Sequence, residues 1–301
     1  MGGKTHVISL PAAWIKKFGI KKSQELEVDE VDDCIKISSH KAKSLESVSK
    51  LDISEFKSKS LLYNFICSAY VSGVDEIKIN FKTKEQGKII REIADNLIGF
   101  AILSEIDSQI VIKDVTGLET DFEPMLKRIF FMIQSIVGGG YESIDKKDYT
   151  ALQEFIDKDH KMNKYYFFCL RYLNKFGHGG SVKTMALYAF LNSIEAVGDK
   201  YAELYKTLCN QGKRLSPEFL KMLKDINHTF LDLLDLYYVK GQQEFFERIN
   251  ALKKRIPTYQ LSLKEFLQKA SRESIIGAYL LAVIEAINDS ISNLVISSQA
   301  C

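Results

Sequence analysis

The feature that most constrains this chain is a helical period that runs from residue 121 almost to the end of its 301 residues. Apolar side chains recur there every three or four positions, and Pro124, Pro217 and Pro257 are the stretch's prolines. Period and breakers together predict helices over 122–145, 149–176, 181–211, 217–240, 242–255 and 262–298. Gly138-Gly139-Gly140 falls inside the first of them. Each glycine there costs about 1 kcal/mol relative to alanine, so either the helix breaks or another backbone packs closely against it.

Within this stretch the chain repeats itself. An offset of 90 residues lays LNSIEAVGDKYAEL (191–204) over LAVIEAINDSISNL (281–294). Leu191, Ile194, Glu195, Ala196, Asp199 and Leu204 then meet Leu281, Ile284, Glu285, Ala286, Asp289 and Leu294. Each segment lies on a long helix preceded by a helical hairpin. The expected unit is therefore a three-helix bundle, present twice, over about 121–212 and 215–298.

The repeated mark is a carboxylate pair, Glu195/Asp199 and Glu285/Asp289. Residues four apart share one helix face, so each pair projects together from an apolar stripe. Two carboxylates in such a place want a counter-charge: a hard or borderline metal ion, or an Arg or Lys from a neighbouring helix. A solvated rim pair is the simpler alternative. Asp157 and Asp159, beside His160 and Asn163, can complete a site in the first repeat. The second offers ERINALKKR (247–255), where only Glu247 is acidic and Lys253 and Lys254 fill the later positions.

The N-terminal third has other textures. Over residues 1–40, THVISL reads as a strand, Pro11 opens a short helix that Gly19 stops, and ELEVDEVDDCIKIS reads as a hairpin turning at Asp32-Asp33. Lys4, Lys16, Lys17, Lys21 and Lys22 lie in a segment without acids, and six acids follow within 25–33. That segregation suggests a basic face for nucleic acid, with a solvated lysine-bearing helix as the bland alternative. Residues 41–55 read as a linker. Residues 56–118 alternate helix, strand, helix and two strands, a small α+β unit without a Gly-rich phosphate loop.

Composition narrows the classes. The net charge is only +2, so any nucleic-acid contact must come from a local patch. Five scattered cysteines without a C-x-x-C pair favour free thiols over a disulfide scaffold or zinc finger. The start lacks a signal-peptide core. Ile275 to Val295 is apolar enough to suggest a membrane span, but Glu285, Asn288 and Asp289 sit at its middle. A buried helix of a cytoplasmic protein, not an integral membrane one, is the expectation.

These residues carry two family resemblances. Residues 121–298 resemble PhoU, a phosphate-signalling regulator of two three-helix bundles with repeated Glu/Asp-x-x-x-Asp metal motifs. Glu195/Asp199 and Glu285/Asp289 match the motif on the third helix of each bundle. Asp159 matches it on the second helix of the first bundle, with Asn163 in place of a carboxylate. The resemblance implies metal ligands at Glu195, Asp199, Glu285, Asp289 and Asp159, for a divalent or ferric ion. Residues 2–38 resemble the SpoVT/AbrB swapped-hairpin DNA-binding domain, through the Gly-Gly start, the Leu-Pro strand end, the Trp-bearing helix, Gly-Ile-Lys-Lys and the acidic hairpin. Two features depart from that pattern: the basic strand before the glycines is missing, and Ser23 stands where a turn glycine is common. Archaeal PhoU-like regulators join two such domains through an α+β segment.

The fold expected is thus multidomain: a small β-rich AbrB-like domain (1–40), a linker (41–55), a small α+β domain (56–118) and an all-α PhoU-like domain of two three-helix bundles (119–301). The resemblance implies a homodimeric, non-enzymatic regulator of phosphate uptake or metabolism. Lys4, Thr5, Lys16, Lys17, Lys21 and Lys22 would contact the DNA backbone. The alternative is a protein-interaction regulator that docks on a phosphate transporter or a signalling kinase without binding DNA. An enzyme is the third reading, since no triad, Cys-His pair or phosphate-cradling loop is evident.

Overall fold

The structure is a computed structural model and describes residues 7–31, 34–38, 47–116, 122–211, 214–269 and 273–299. Its first unit holds α1 (Ala12–Phe18), β1 (Glu27–Val31) and β2 (Cys34–Ser38). Pro11 stands before α1 and Gly19 closes it in the left-handed conformation, as the sequence predicts. The two strands pair antiparallel as a hairpin around Asp32-Asp33, which lie outside the described residues. The expected strand THVISL is a correction. Its described part, Val7 to Leu10, forms no strand, and Val7 and Ile8 are 87% and 59% exposed. A strand needs a partner ladder, and the described residues of one chain offer none.

The second unit is a four-stranded sheet in the order β3-β4-β6-β5, covered on one face by two helices. Its elements are β3 (Val48–Asp52), α2 (Lys59–Val71), β4 (Glu76–Asn80), α3 (Lys84–Ala94), β5 (Phe100–Ile106) and β6 (Gln109–Asp114). β3 falls inside the segment read as linker, and its parallel pairing with β4 makes that segment part of the sheet. Its alternation is weak because only every second residue is even half-covered. A capping box between Thr83 and Gln86 starts α3, and the Gln86 amide also donates to Ile53 O and Phe56 O. Ile66, Tyr70, Ile77, Ile79, Ile90, Ile110 and Ile112 fill the core between helices and sheet.

The helical half comprises α4 (Phe122–Asp145), α5 (Leu152–Phe176), α6 (Ser181–Gln211), α7 (Pro217–Leu236), α8 (Gln242–Lys269) and α9 (Ser274–Gln299). α4, α5 and α6 pack as one triple and α7, α8 and α9 as another, and the two meet chiefly along α6 and α9. One continuous core runs through both. The glycine run does not break α4. A Cβ on Gly139 would lie 2.5 Å from the Phe155 ring, and one on Gly140 would lie 2.2 Å from the Tyr205 hydroxyl. Close packing by side chains, not by a second backbone, is what these glycines admit.

Pro257 does not end α8 either, which runs on to Lys269. Leu252, Ile256, Leu263 and Phe266 are buried along one face of it. Their burial offsets the roughly 3 kcal/mol that an interior proline costs. The break expected before 262 lies instead between α8 and α9. There Glu273 accepts hydrogen bonds from the backbone and hydroxyl of Ser216, tying the start of α9 to the cap of α7.

Among the described helices, α9 alone is long and apolar enough to cross a membrane. Ile284, Ile287 and Ile291 on it are wholly buried against the rest of the helical half.

Candidate functional site

The α+β unit rests on the first triple through α5. Arg171, 0% exposed, donates to Asp114 Oδ2 at 3.0 Å and to Tyr70 O at 2.9 Å. Its guanidinium also lies over the rings of Tyr70 and Phe100. Asn174 donates to Val71 O, and Lys175 pairs with Asp75. Tyr63 of α2 meets Phe167 of α5 at 5.9 Å between ring centroids.

About two to three turns upstream of Arg171 on the same helix stand Asn163 and Asp159. Four residues apart, they share the face that meets α6, where Glu195 and Asp199 are also four apart. Asp159 is 2% exposed, Glu195 is half-buried and Asp199 is the most exposed of the three, at the rim. Gly198 makes the approach possible, since a Cβ there would lie 2.8 Å from Asp159 Oδ1.

The electrostatics follow from that crowding. Burial, and then the charge of Asp199, pushes Asp159 up to about 7, with Lys206 pulling weakly the other way. Burial, followed by Asp199 and Asp159, also pushes Glu195 up to about 7. Asp199 is raised as well, chiefly by desolvation, while Lys200 and Lys206 hold it down. The hydroxyls of Tyr63 and Tyr166 lie near enough for the Glu195 charge to raise them further, beyond the effect of their own burial. Tyr63 belongs to α2 and touches Phe167 of α5, so the α+β unit lies on this side of the first triple.

Two oxygens in this pocket, Asp159 Oδ1 and Asn163 Oδ1, are buried and have no hydrogen-bond partner. A buried acceptor left alone costs about 1–3 kcal/mol, so the pocket lacks a donor or a cation. Its ligand atoms are all hard oxygens, suited to Mg2+, Mn2+, Ca2+ or a ferric ion. Among the described residues, however, no group of three or more His, Cys, Asp and Glu side chains is disposed to hold an ion. The donor types and orphaned oxygens fit a cation; closing the shell requires the side chains to converge further.

The other residues singled out in the sequence lie apart. Asp157 and His160 are exposed, and Asp157 accepts from Gln153. Glu285 and Asp289 are exposed on α9. Beside them Lys253 of α8 donates to Asn288 Oδ1 at 3.2 Å and Ser292 Oγ at 2.8 Å. Lys16, Lys17, Lys21 and Lys22 are exposed on and after α1, whereas Lys4 and Thr5 lie outside the described residues. Tyr166, which donates to Asn192, and Tyr63 were not singled out in the sequence. Tyr166 follows Asp159 by seven residues and Asn163 by three, so helical spacing alone would have placed it on that face.

Comparison with known proteins adds a finding at the other end of the chain. A family model described as antidote-toxin recognition MazE, bacterial antitoxin, matches residues 1–44. This N-terminal segment is accordingly of MazE/AbrB-like type. No curated protein and no solved structure matches the chain.

Proposed function

We propose that the chain is a dimeric, non-enzymatic regulator that binds DNA through its N-terminal unit and senses through its helical half. The observation that carries this reading is the unfinished state of the N-terminal unit. Between residues 7 and 38 no described side chain is buried, and Val7, Ile8, Val28 and Ile35 are largely exposed. So small a unit with its apolar residues in water needs a second copy to cover them. The MazE-type match over 1–44 supports such a dimer, with the lysines of both copies arrayed about a two-fold axis.

Lys16, Lys17, Lys21 and Lys22, with Lys4 and Thr5, would contact phosphates. Binding of the intact protein to duplex DNA should then fall steeply between 50 and 200 mM salt, on the order of 10²-fold or more. Replacing Lys16 and Lys17 by Ala should weaken it on any sequence. No measurable binding at low salt by a protein that sediments as a dimer would remove the DNA half of the proposal.

In the helical half the sensing group is the pocket of Asp159, Asn163, Glu195 and Asp199. A cation there would supply the missing partner for the two orphaned oxygens and lower the carboxylate pKa values. α5 carries both this pocket and the Arg171 anchor, so a change at one end is felt by the α+β unit at the other. The role in phosphate uptake or metabolism rests on the resemblance of residues 121–298 to PhoU. Elemental analysis of the purified protein beside Glu195→Ala and Glu285→Ala tests the ion. Metal lost only in Glu195→Ala supports the first triple; metal unchanged in both places any ion elsewhere.

A second reading is a regulator that captures a protein: a transporter, a signalling kinase or, by the matched family's description, a toxin. It is favoured by Val7 to Leu10, which form no strand with the described residues and which a partner strand can take up as well as DNA-binding copies can. A pull-down against such partners, run beside the DNA titration, separates the two.

A further inference from the structure

A basic surface lies on the first triple, along the seam between α4 and α5 and on a different face of α5 from the carboxylate pocket. Lys158 of α5 donates to Ser135 Oγ of α4 at 2.8 Å, and Arg128 of α4 lies over the Tyr165 ring of α5 at 5.9 Å. On each helix these two crossings are seven residues apart, about 10 Å at the rise of an α-helix. Midway between them, Phe131 and Lys161 flank the seam from either helix.

The core leaves these rings and charges unused. Phe131 is 63% exposed, the most open of the described aromatic rings. Arg128 stands over it at 5.7 Å, and Lys164 lies over the Tyr165 ring at 5.0 Å. Among the described residues, Lys127, Arg128, Lys161 and Lys164 pair with no carboxylate. The acids on this part of α5 are already engaged: Glu154 pairs with Lys158, and Asp157 accepts from Gln153. The whole chain carries a net charge of only +2, so four unpaired cations around one exposed ring are a concentrated demand for a planar, anionic partner.

From this surface we infer that the α4–α5 seam binds single-stranded RNA. Unpaired bases stack on exposed aromatic rings and on guanidinium planes, and the phosphates between them take up the cations. Duplex nucleic acid would engage the lysines and leave Phe131 unused, because its bases already stack on one another. An anionic membrane would take up Phe131 alone, since Tyr165 is half-buried beneath two cations. Strands with accessible bases are the ordinary state of RNA loops and ends, which places RNA before DNA. The site is independent of the DNA reading, since it contains no N-terminal residue.

Fluorescence anisotropy of the full chain with a labelled oligouridine dodecamer tests the assignment, beside an RNA duplex, oligodeoxyuridine of the same length and vesicles containing phosphatidylglycerol. Phe131→Ala should weaken oligouridine binding about tenfold and leave its salt dependence unchanged. Lys161→Ala should weaken it too, and lower the slope of log K against log salt by about 0.7. The duplex should bind less tightly and be insensitive to Phe131→Ala. Both residues are exposed, and thermal melting establishes that each variant is folded. Lys16→Ala with Lys17→Ala should leave oligouridine binding intact while weakening duplex DNA, which separates this site from the N-terminal one. Oligouridine binding that Phe131→Ala does not alter, or that only the N-terminal lysines support, would overturn the proposal. So would tighter binding of oligodeoxyuridine, or a Phe131-dependent affinity for vesicles without one for oligouridine.

Discussion

The two triples of the helical half carry the same carboxylate motif and use it differently. At the 90-residue offset, Asp159, Asn163, Glu195, Gly198 and Asp199 of the first correspond to Ile249, Lys253, Glu285, Asn288 and Asp289 of the second. In the first triple the buried partner is another acid, and a glycine lets the two helices close on it. In the second, that position is an apolar residue packed in the core, and a lysine reaches across to Asn288 and Ser292. One copy keeps an unmet demand for positive charge; the other has an ammonium built in. A duplicated motif is therefore not a duplicated site, and the difference lies on the facing helix. The first triple is also the one on which the α+β unit rests.

That asymmetry is open to direct attack, and its anchor should give the largest loss on substitution. Arg171→Ala takes the guanidinium from buried Asp114, which keeps Lys175 at 3.9 Å and Thr116 beside it; breaking a buried pair in this way costs about 3 kcal/mol. Thermal or denaturant unfolding of the variant measures this. A loss below 1 kcal/mol would mean that the α+β unit is not held on α5. Arg255→Ala on α8, whose pair with Asp232 is half-exposed, should cost under about 1 kcal/mol by comparison.

The second prediction concerns pH. Asp159 and Glu195 have folded-state pKa values near 7, above their ordinary values of 3.8 and 4.5. The native state then binds more protons than the unfolded state between about pH 4 and pH 7, so stability falls as pH rises through that window and levels above it. The loss attributable to Asp159 is on the order of 4 kcal/mol. Asp159→Asn should flatten the slope and leave the protein more stable than wild type at pH 8. Asp289→Asn should change neither. An unchanged pH profile in Asp159→Asn would break the comparison. A saturating cation should mimic the substitution, raising wild-type stability at pH 8 and not that of the variant.

How much of this was legible beforehand follows the range of the interactions involved. The bounds of α4 and α6 stand in the sequence because an apolar period between local breakers is a local signal. Pro257 misled because its cost is local, while the burial of Leu252, Ile256, Leu263 and Phe266 that offsets it is tertiary. Strand β3 was hidden in a polar segment because an edge strand of five residues shows little alternation. The carboxylate motif could be read from its repetition, and the poverty of ligands around Lys253 was visible too. The ion pair of Arg171 with Asp114 could not be read. Its partners lie 57 residues apart in different units, and an arginine among tyrosines on a helix looks like a solvated face. Gly198 offered an unused clue, since a glycine inside a helix asks what comes close to it.

A smaller effect tests the N-terminal unit, where one chain differs from the helical half in having no buried residue of its own among those described. Ser23 holds a left-handed backbone, φ 64°, at the position where the resemblance expects glycine. Serine in that region is strained by about 1 kcal/mol, part of which glycine returns as lost chain entropy. Ser23→Gly should therefore stabilise this unit by about 0.5 kcal/mol or less, as read by amide exchange in residues 12–20, and leave the helical half untouched. Destabilisation would mean that the serine side chain itself holds the turn.

A change of similar size bears most closely on the paired motifs. Lys253→Met removes the ammonium from Asn288 and Ser292 while keeping the stem's packing. The groups it leaves are only partly buried, so the cost should be about 0.5–1 kcal/mol. The informative step is the next one. Ile249→Asp with Lys253→Asn installs the first triple's α5 pair on α8, and Asn288→Gly supplies the room that Gly198 gives α6. If facing-helix chemistry is what separates the two copies, this triple variant should lose stability between pH 4 and pH 7 and recover it with a divalent cation, measured by thermal melting. A pH-independent variant would show instead that the first pocket owes its character to the α+β unit and Tyr63, which no substitution on α8 can supply.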